Sequence, residues 1–529
     1  MIDLVNSRVR ATCALALILG ATAVLYVAGL DQAPVYIGGD EAHFASHALA
    51  IATTGRDLNG TRLPLFVQIT DLLVANSSTR IWYQPALFYL LAADLRVLPF
   101  NETSVRLPTA LIGVLNVLLI YLVGRRMFGA RRYGLLAAAM LAMTPAQLLL
   151  SRQALDYICP LPVVLTWLWC VLAYEQRPRT SLLALTGLLL GLGVFTYIAS
   201  WATMPLLAIL TVVVLRPALR QATIAGVMMI APLLLVVPWL WSRPQVLIDT
   251  VGRYRIGGAQ ADAARSLLDF NLGERLTLYW DYFNPSFLFF AGGSNPTIAT
   301  SRVGVFLLPI AIFLVAGIYR TWHRRDTGGT LALAGMLAAP LPIALTMPAA
   351  PEYSIARALT MVPFAILVAT AGAQHLFAST RSSVRIIAAA LLLAMPVQFA
   401  AFVHDYFTEY QRRSAPRFDP VATRDLMEKI VELDRAWRAP QILFNDELDD
   451  KSVRWRFYAL KTGRYDLWER ATYFNAGRFE PDHVPSGSLL VLYSGDARID
   501  DMVSTGTCTE VARLEGFGGH AAAAVLRRR

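Results

Sequence analysis

The residues best suited to chemistry lie close together near the start of the chain. Gly38-Gly39-Asp40-Glu41-Ala42-His43-Phe44-Ala45-Ser46-His47 sets two carboxylates and two imidazoles behind a Gly-Gly pair. A carboxylate there can take the proton from an attacking hydroxyl, and glycines let the backbone approach a substrate closely. The plain alternative is structural, since acids at the start of a helix complement its dipole. His43 and His47 are one helical turn apart, and with Asp40 they have the spacing to hold a divalent metal. Histidine at the wet edge of an interfacial helix is the competing explanation. No other cofactor is implied. A second acid, Asp156, sits in Ser151-Arg152-Gln153-Ala154-Leu155-Asp156-Tyr157, where Arg152 and Asp156 at i, i+4 could equally form an ion pair. Arg106 and Arg357 each stand where a polar segment enters an apolar one. A guanidinium fork at headgroup depth is suited to a lipid-borne phosphate; ordinary snorkelling is the alternative.

The elements that must carry these groups are membrane helices. Of 529 residues, 56% are hydrophobic and only 16% charged, against roughly 25% charged in soluble globular proteins. Mean hydropathy is +0.49, and the apolar residues come in long blocks. The chain is expected to be a polytopic α-helical membrane protein. Its formal charge, 47 − 37 = +10, need not mean nucleic acid, because arginine collects at cytoplasmic helix ends and near anionic headgroups. Cys13, Cys159, Cys170 and Cys508 show no Cys-x-x-Cys spacing, so neither a disulfide framework nor a zinc ribbon is signalled.

A first span is expected over 11–30, with the basic flank Arg8 and Arg10 placing the N-terminus in the cytoplasm. Further runs follow at about 104–123, 134–150, 158–174, 181–199, 201–215, 222–241, 303–319, 329–347, 357–375 and 384–403. Counting eleven spans from an inside start puts Arg125, Arg126, Arg131, Arg132, Arg177, Arg179, Arg216, Arg220, Arg320, Arg324, Arg325, Arg381 and Arg385 all inside. Pro85–Phe100 is apolar but short and carries Asp94 and Arg96. Read as a span it would invert that pattern, so an interfacial helix is expected. Loops 31–103 and 242–302 and a polar region, 404–529, then face outside. That region, with strand-like Gln441–Phe444 and Leu489–Tyr493 between turn signals, reads as a small α/β domain appended to a transmembrane domain over 1–403.

The spans are almost free of Asp, Glu, Lys and His. A coupled transporter normally places ionisable groups near the midplane, so a site at the outer membrane surface is expected instead. Two rival classes remain, a flippase or transporter of lipid-linked saccharides and a non-catalytic scaffold.

The order of motifs resembles a family. After Asp40-Glu41 come GRDLNGTRLPLF, WYQPALFYLL, VRLPTALIGVLNVLLIYLVGRRMFG, SRQALD, FNPSFLFFAGG and IARAL. The set, spanning about 36–375, is similar to polyprenyl-phosphate-sugar-dependent glycosyltransferases of the GT-C fold, among them bacterial relatives of protein mannosyltransferases and lipid A aminoarabinose transferases. The resemblance implies that Asp40 is the catalytic acid of the first loop with Glu41 beside it, that Asp156 is the second acidic position, and that Arg106 opens the second span. Pro85-Ala86 stands where members often read Pro-Pro. Gln84 stands where the aminoarabinose transferases carry a phosphate-binding lysine, which moves the phosphate-gripping role to Arg106 and Arg357. The implied activity is inverting transfer of a sugar from a polyprenyl-phosphate donor to an acceptor hydroxyl on a glycan, lipid or protein. The implied place is the outer face of the bacterial cytoplasmic membrane.

Overall fold

The computed structural model describes residues 2–69, 81–246, 249, 272–346, 354–448, 451–478, 480 and 483–529. Much of the expected outer loop 242–302 lies outside the described residues. Each expected apolar run is helical: α1 (Ile2–Val27), α4 (Glu102–Met127), α5 (Arg131–Ala142) bent into α6 (Pro145–Ser151), α7 (Pro160–Gln176), α8 (Thr180–Gly193), α9 (Ser200–Leu215) and α10 (Leu219–Leu233) continued by α11 (Val236–Ser242). After α12 (Leu272–Asp281) come α13 (Pro309–Arg324), α14 (Thr327–Ala338) with α15 (Leu341–Thr346), α16 (Met361–Phe377) and α17 (Ser382–Phe407). Among the described residues six helices are long and apolar enough to cross a membrane, or seven if the α5–α6 pair, bent by 63°, is one span. The others are short: α8 has 14 residues, α9 and α13 have 16, and α16 has 17. At 1.5 Å per residue, 14 residues reach about 21 Å, less than a hydrocarbon core of about 30 Å.

These helices share one apolar core, with α16 at its centre and buried along nearly its whole length. In a bilayer, association rests on close packing rather than on a hydrophobic drive. The contact of α13 with α16 depends on two glycines. A Cβ at Gly317 would run into the Val368 carbonyl, and one at Gly372 into that of Phe313.

Ahead of the bundle, α2 (Gly39–Thr54), the antiparallel pair β1 (Val67–Ile69) and β2 (Ile81–Tyr83), and α3 (Pro85–Asp94) form a second layer. Helix α3 is a ten-residue element packed on α2, so the apolar segment after Gln84 ends well short of spanning length. Beyond α17, the helices α18 (Glu409–Phe418), α19 (Thr423–Trp437), α20 (Lys451–Lys461), α21 (Tyr465–Glu469) and α22 (Arg498–Ser504) flank a five-stranded sheet. Its strands β3 (Ile442–Asn445), β4 (Ala471–Phe474), β5 (Leu489–Tyr493), β6 (Cys508–Glu515) and β7 (Ala521–Arg528) run in the order β4-β3-β5-β7-β6. The first three are parallel, and β7 and β6 close the sheet as an antiparallel hairpin. Both expected strands are present, the first shifted by one residue. The sheet region does not stand apart from the membrane part. Leu426, Ile430, Phe444, Trp455 and Phe457 share one buried cluster with Phe44, Leu87, Phe88 and Val105.

Candidate active site

The chain between α1 and α2 is held by two arginines with no exposed surface, Arg106 and Arg152. A guanidinium has five N–H donors, and in both residues all five are used. Arg152 donates through Nε to Ala33 O at 3.1 Å, through Nη1 to Leu25 O and Tyr26 O, and through Nη2 to Gly29 O and Ala33 O. The ion pair with Asp156 that the spacing allows is not made. Arg106 donates through Nη1 to Leu30 O and Pro34 O, both at 2.7 Å, and through Nη2 to Tyr36 O at 2.8 Å. Its two remaining donors reach Glu41 Oε1 and Oε2, each at 2.9 Å.

Glu41, 1% exposed, is therefore half of a buried ion pair. Its Oε2 also accepts from Gly38 N, tying the first turn of α2 to the residue before it. Its Oε1 accepts from Ala154 N at 2.8 Å, in the turn that leads to Asp156. Glu41 and Arg106, expected in the chemistry, are found in these structural contacts: both Glu41 oxygens accept from Arg106 and from backbone N–H groups, and all five Arg106 donors are used within the protein.

What this clamp positions is the pair of aspartates. Asp40, half-buried, sits in the first turn of α2. Asp156, 4% exposed, opens a short 3-10 turn, Asp156–Ile158, ahead of α7. Asp40 adjoins Glu41, whose Oε1 holds Ala154 N two residues before Asp156, so one contact ties the turns that carry the two aspartates. Asp156 Oδ2 is buried with no hydrogen-bond partner among the described residues. A buried carboxylate oxygen left unsatisfied is costly.

Arg357 lies on a second 3-10 turn, Ile355–Ala358, whose start is fixed by Ser354 Oγ accepting from Ala356 N. It lines a small pocket with Tyr157, Tyr197, Ser200 and Thr203, directly beside the Asp156 turn. The pocket wall is stiffened by the edge-on contact of Tyr157 with Tyr197 at 5.2 Å. Asp40, Asp156 and Arg357 thus share one end of the bundle.

His43 and His47 are buried on α2, 5% and 4% exposed. Burial pushes both imidazoles down, to about 3 for His43 and about 4 for His47; His47 and the arginines Arg454 and Arg456 add to the first, Arg456 to the second. Among the described residues no third His, Cys, Asp or Glu joins them in a ligand set. Two cationic neighbours oppose a divalent ion, so the pair does not fit a metal site and no chemistry is routed through one.

The polar region after α17 braces the same loop. Tyr36 Oη donates to Asp425 Oδ2 at 2.7 Å and accepts from Phe517 N at 2.8 Å. Arg424 Nη1 donates to Val35 O and Arg454 Nε to Ile37 O. Lys461 Nζ pairs with Glu102 at the start of α4 at 2.7 Å. Sequence reasoning missed Arg152 as a clamp and Tyr36 as a hinge pin. A lone arginine amid apolar residues was the one available signal.

Comparison with known proteins bears on the fold. The dolichyl-phosphate-mannose-protein mannosyltransferase family matches residues 84–241. Across solved structures the chain is similar to ArnT from Cupriavidus metallidurans bound to undecaprenyl phosphate, at 12% identity and a TM-score of 0.62, covering 97% of both chains. It is also similar to the archaeal oligosaccharyltransferase AglB from Archaeoglobus fulgidus in complex with an inhibitory peptide and a dolichol-phosphate. There identity is 14% and the TM-score 0.51, with 86% of this chain and 64% of that one covered. A search of curated protein sequences gives no match. The chain is a helical membrane protein of the GT-C fold. The resemblance read from its motifs, to glycosyltransferases that use polyprenyl-phosphate sugars, holds at the level of fold and over the matched segment.

Proposed function

We propose that this protein is an inverting glycosyltransferase that moves a sugar from a polyprenyl-phosphate carrier to an acceptor hydroxyl. The observation that carries the reading is the buried Asp156, whose Oδ2 has no hydrogen-bond partner among the described residues, beside a pocket lined by Arg357 and in the turn that Glu41, next to Asp40, holds through Ala154 N. Asp40 removes the acceptor proton as the hydroxyl oxygen bonds to the anomeric carbon. The bond from that carbon to the phosphate oxygen breaks on the opposite face, and the lipid phosphate leaves with both electrons. Charge building on the phosphate is met by Arg357, a charge-assisted contact worth most where water is excluded. Asp156 accepts from a sugar or acceptor hydroxyl and orients it. The polyprenyl-phosphate donor is supported by the lipids named with the similar structures, undecaprenyl phosphate for ArnT and dolichol-phosphate for AglB.

In this reading the chain crosses eleven times from a cytoplasmic N-terminus, with this end of the bundle and residues 404–529 on the outer face of a bacterial cytoplasmic membrane, and the distribution of arginine supports that topology. Cysteine labelling within 404–529 in intact cells tests the sidedness. Labelling that needs lysis contradicts it. The reaction is tested with purified protein in detergent given a polyprenyl-phosphate sugar and a hydroxyl acceptor. Donor consumption with release of the lipid phosphate is expected, and a donor left intact across mannosyl and pentosyl carriers contradicts the proposal.

A further inference from the structure

The GRRMFG motif at the end of α4 takes no part in the proposed chemistry, yet it lines a cavity. Arg126, Met127 and Phe128 form one wall, Leu172 and Glu175 of α7 another, and Arg320, Arg324, Asp326 and Gly328 a third. The cavity holds about 300 Å³. It lies at the ends of α4 and α7 remote from Arg106 and the Asp156 turn. Asp156 precedes α7 and Glu175 ends it, while Arg106 is in the first turns of α4 and Arg126 in its last. Twenty residues of α4 separate those arginines, about 30 Å, the thickness of a hydrocarbon core.

We propose that this cavity is a phosphate-binding site at the membrane surface opposite the aspartates, occupied by a phospholipid headgroup or by free phosphate. Arginine at a cytoplasmic helix end is ordinary, but such residues are normally exposed. Arg320 is 8% exposed, and its one hydrogen bond among the described residues is a long one, 3.5 Å from Nη1 to Asp326 Oδ2. Desolvating a guanidinium with so weak a partner is unfavourable unless an anion completes its shell. Asp326 is committed elsewhere, since its Oδ1 caps α14 by accepting from Gly329 N at 2.7 Å. Arg324 is exposed at the rim. Arg126 is fixed at the wall, with its guanidinium 4.3 Å above the Trp169 ring and Nη1 donating to Gln176. Three guanidinium groups against Glu175 and Asp326 leave a net positive cavity. The surround suits a lipid, because Tyr319 and Trp322 are 55% and 67% exposed on α13, and such aromatics mark the headgroup level.

The test uses the full-length protein in detergent, with phosphatidylglycerol and inorganic phosphate as separate probes and binding read by native mass spectrometry. Losing one charge-assisted contact should weaken binding about tenfold or more. Arg324→Gln, at an exposed position, and Arg320→Gln are each expected to do this, while Arg216→Gln at another basic helix end leaves binding unchanged. Asp326→Asn keeps the cap oxygen and frees Arg320, so it should tighten binding, the reverse of what a purely structural role would give. Retention of phosphatidylglycerol assigns the site to lipid, and protection by phosphate alone assigns it to a soluble anion. Binding of neither probe, or equal binding by Arg324→Gln, Arg216→Gln and wild type, overturns the proposal.

Discussion

Glu41→Gln separates the clamp from the chemistry. Both oxygens of Glu41 are in use, accepting from Arg106 Nε and Nη2, Gly38 N and Ala154 N. Glutamine keeps the shape but loses the charge, and its amide nitrogen points N–H groups at N–H groups on whichever side it occupies. Arg106, with no exposed surface, is left as a buried cation without its hydrogen-bonded counter-charge. Breaking a buried pair in this way typically costs about 3–5 kcal/mol, a large share of the 5–15 kcal/mol that stabilises a typical folded protein. Apparent melting temperature in detergent, followed by size-exclusion profile, should fall by many degrees. Glu41→Met combined with Arg106→Met removes both charges and should recover part of the loss, because the paired deletion leaves no orphan. The assignment fails if Glu41→Gln melts with wild type. It fails equally if that variant folds normally but has lost turnover, since Glu41 would then belong to the chemistry.

Three further outcomes follow from the same geometry. Arg357→Ala should weaken binding of the polyprenyl-phosphate donor by a couple of kcal/mol, the scale of one charge-assisted contact; unchanged donor affinity contradicts its role. His43 and His47 are held neutral by burial, with folded values of about 3 and about 4 against about 6.5 in the unfolded chain. The unfolded chain then binds more protons between those limits, so their contribution is complete above pH 6.5 and lost as pH falls toward 4 and 3. Melting temperature should drop between pH 7 and 5 and drop less in a His43→Asn, His47→Asn variant; equal pH dependence of the two proteins contradicts the assignment. Gly372→Val should prevent α13 from approaching α16, because the added Cβ meets the Phe313 carbonyl; a variant that purifies with unchanged melting temperature refutes that contact.

Much of the fold was legible because its physics is local. Long apolar runs become helices whatever their neighbours, and the alternation of turn residues with Leu489–Tyr493 marked a strand without reference to its partners. Asp40 and Asp156 were legible as acids beside spans in a chain whose spans hold almost none. What sequence did not distinguish was the fate of an arginine at a helix entrance. Arg106 and Arg357 stand in similar contexts, yet Arg106 is sealed by Glu41, 65 positions away, and by three loop carbonyls. Arg357 lines a pocket. Burial is set by packing across the chain, and no local spacing encodes it. The same holds for the residues after α17, which looked separable by composition but share a core with α2 and α3.

Asp40→Asn is the most direct test of the central claim. It preserves the shape of the side chain and removes the charge that makes it a base. With a hydroxyl acceptor, turnover of the polyprenyl-phosphate sugar should fall by about 10²–10⁴-fold, the usual contribution of general-base help. Donor binding and melting temperature should match wild type. Near-normal turnover in Asp40→Asn would contradict the account and shift the base to Asp156.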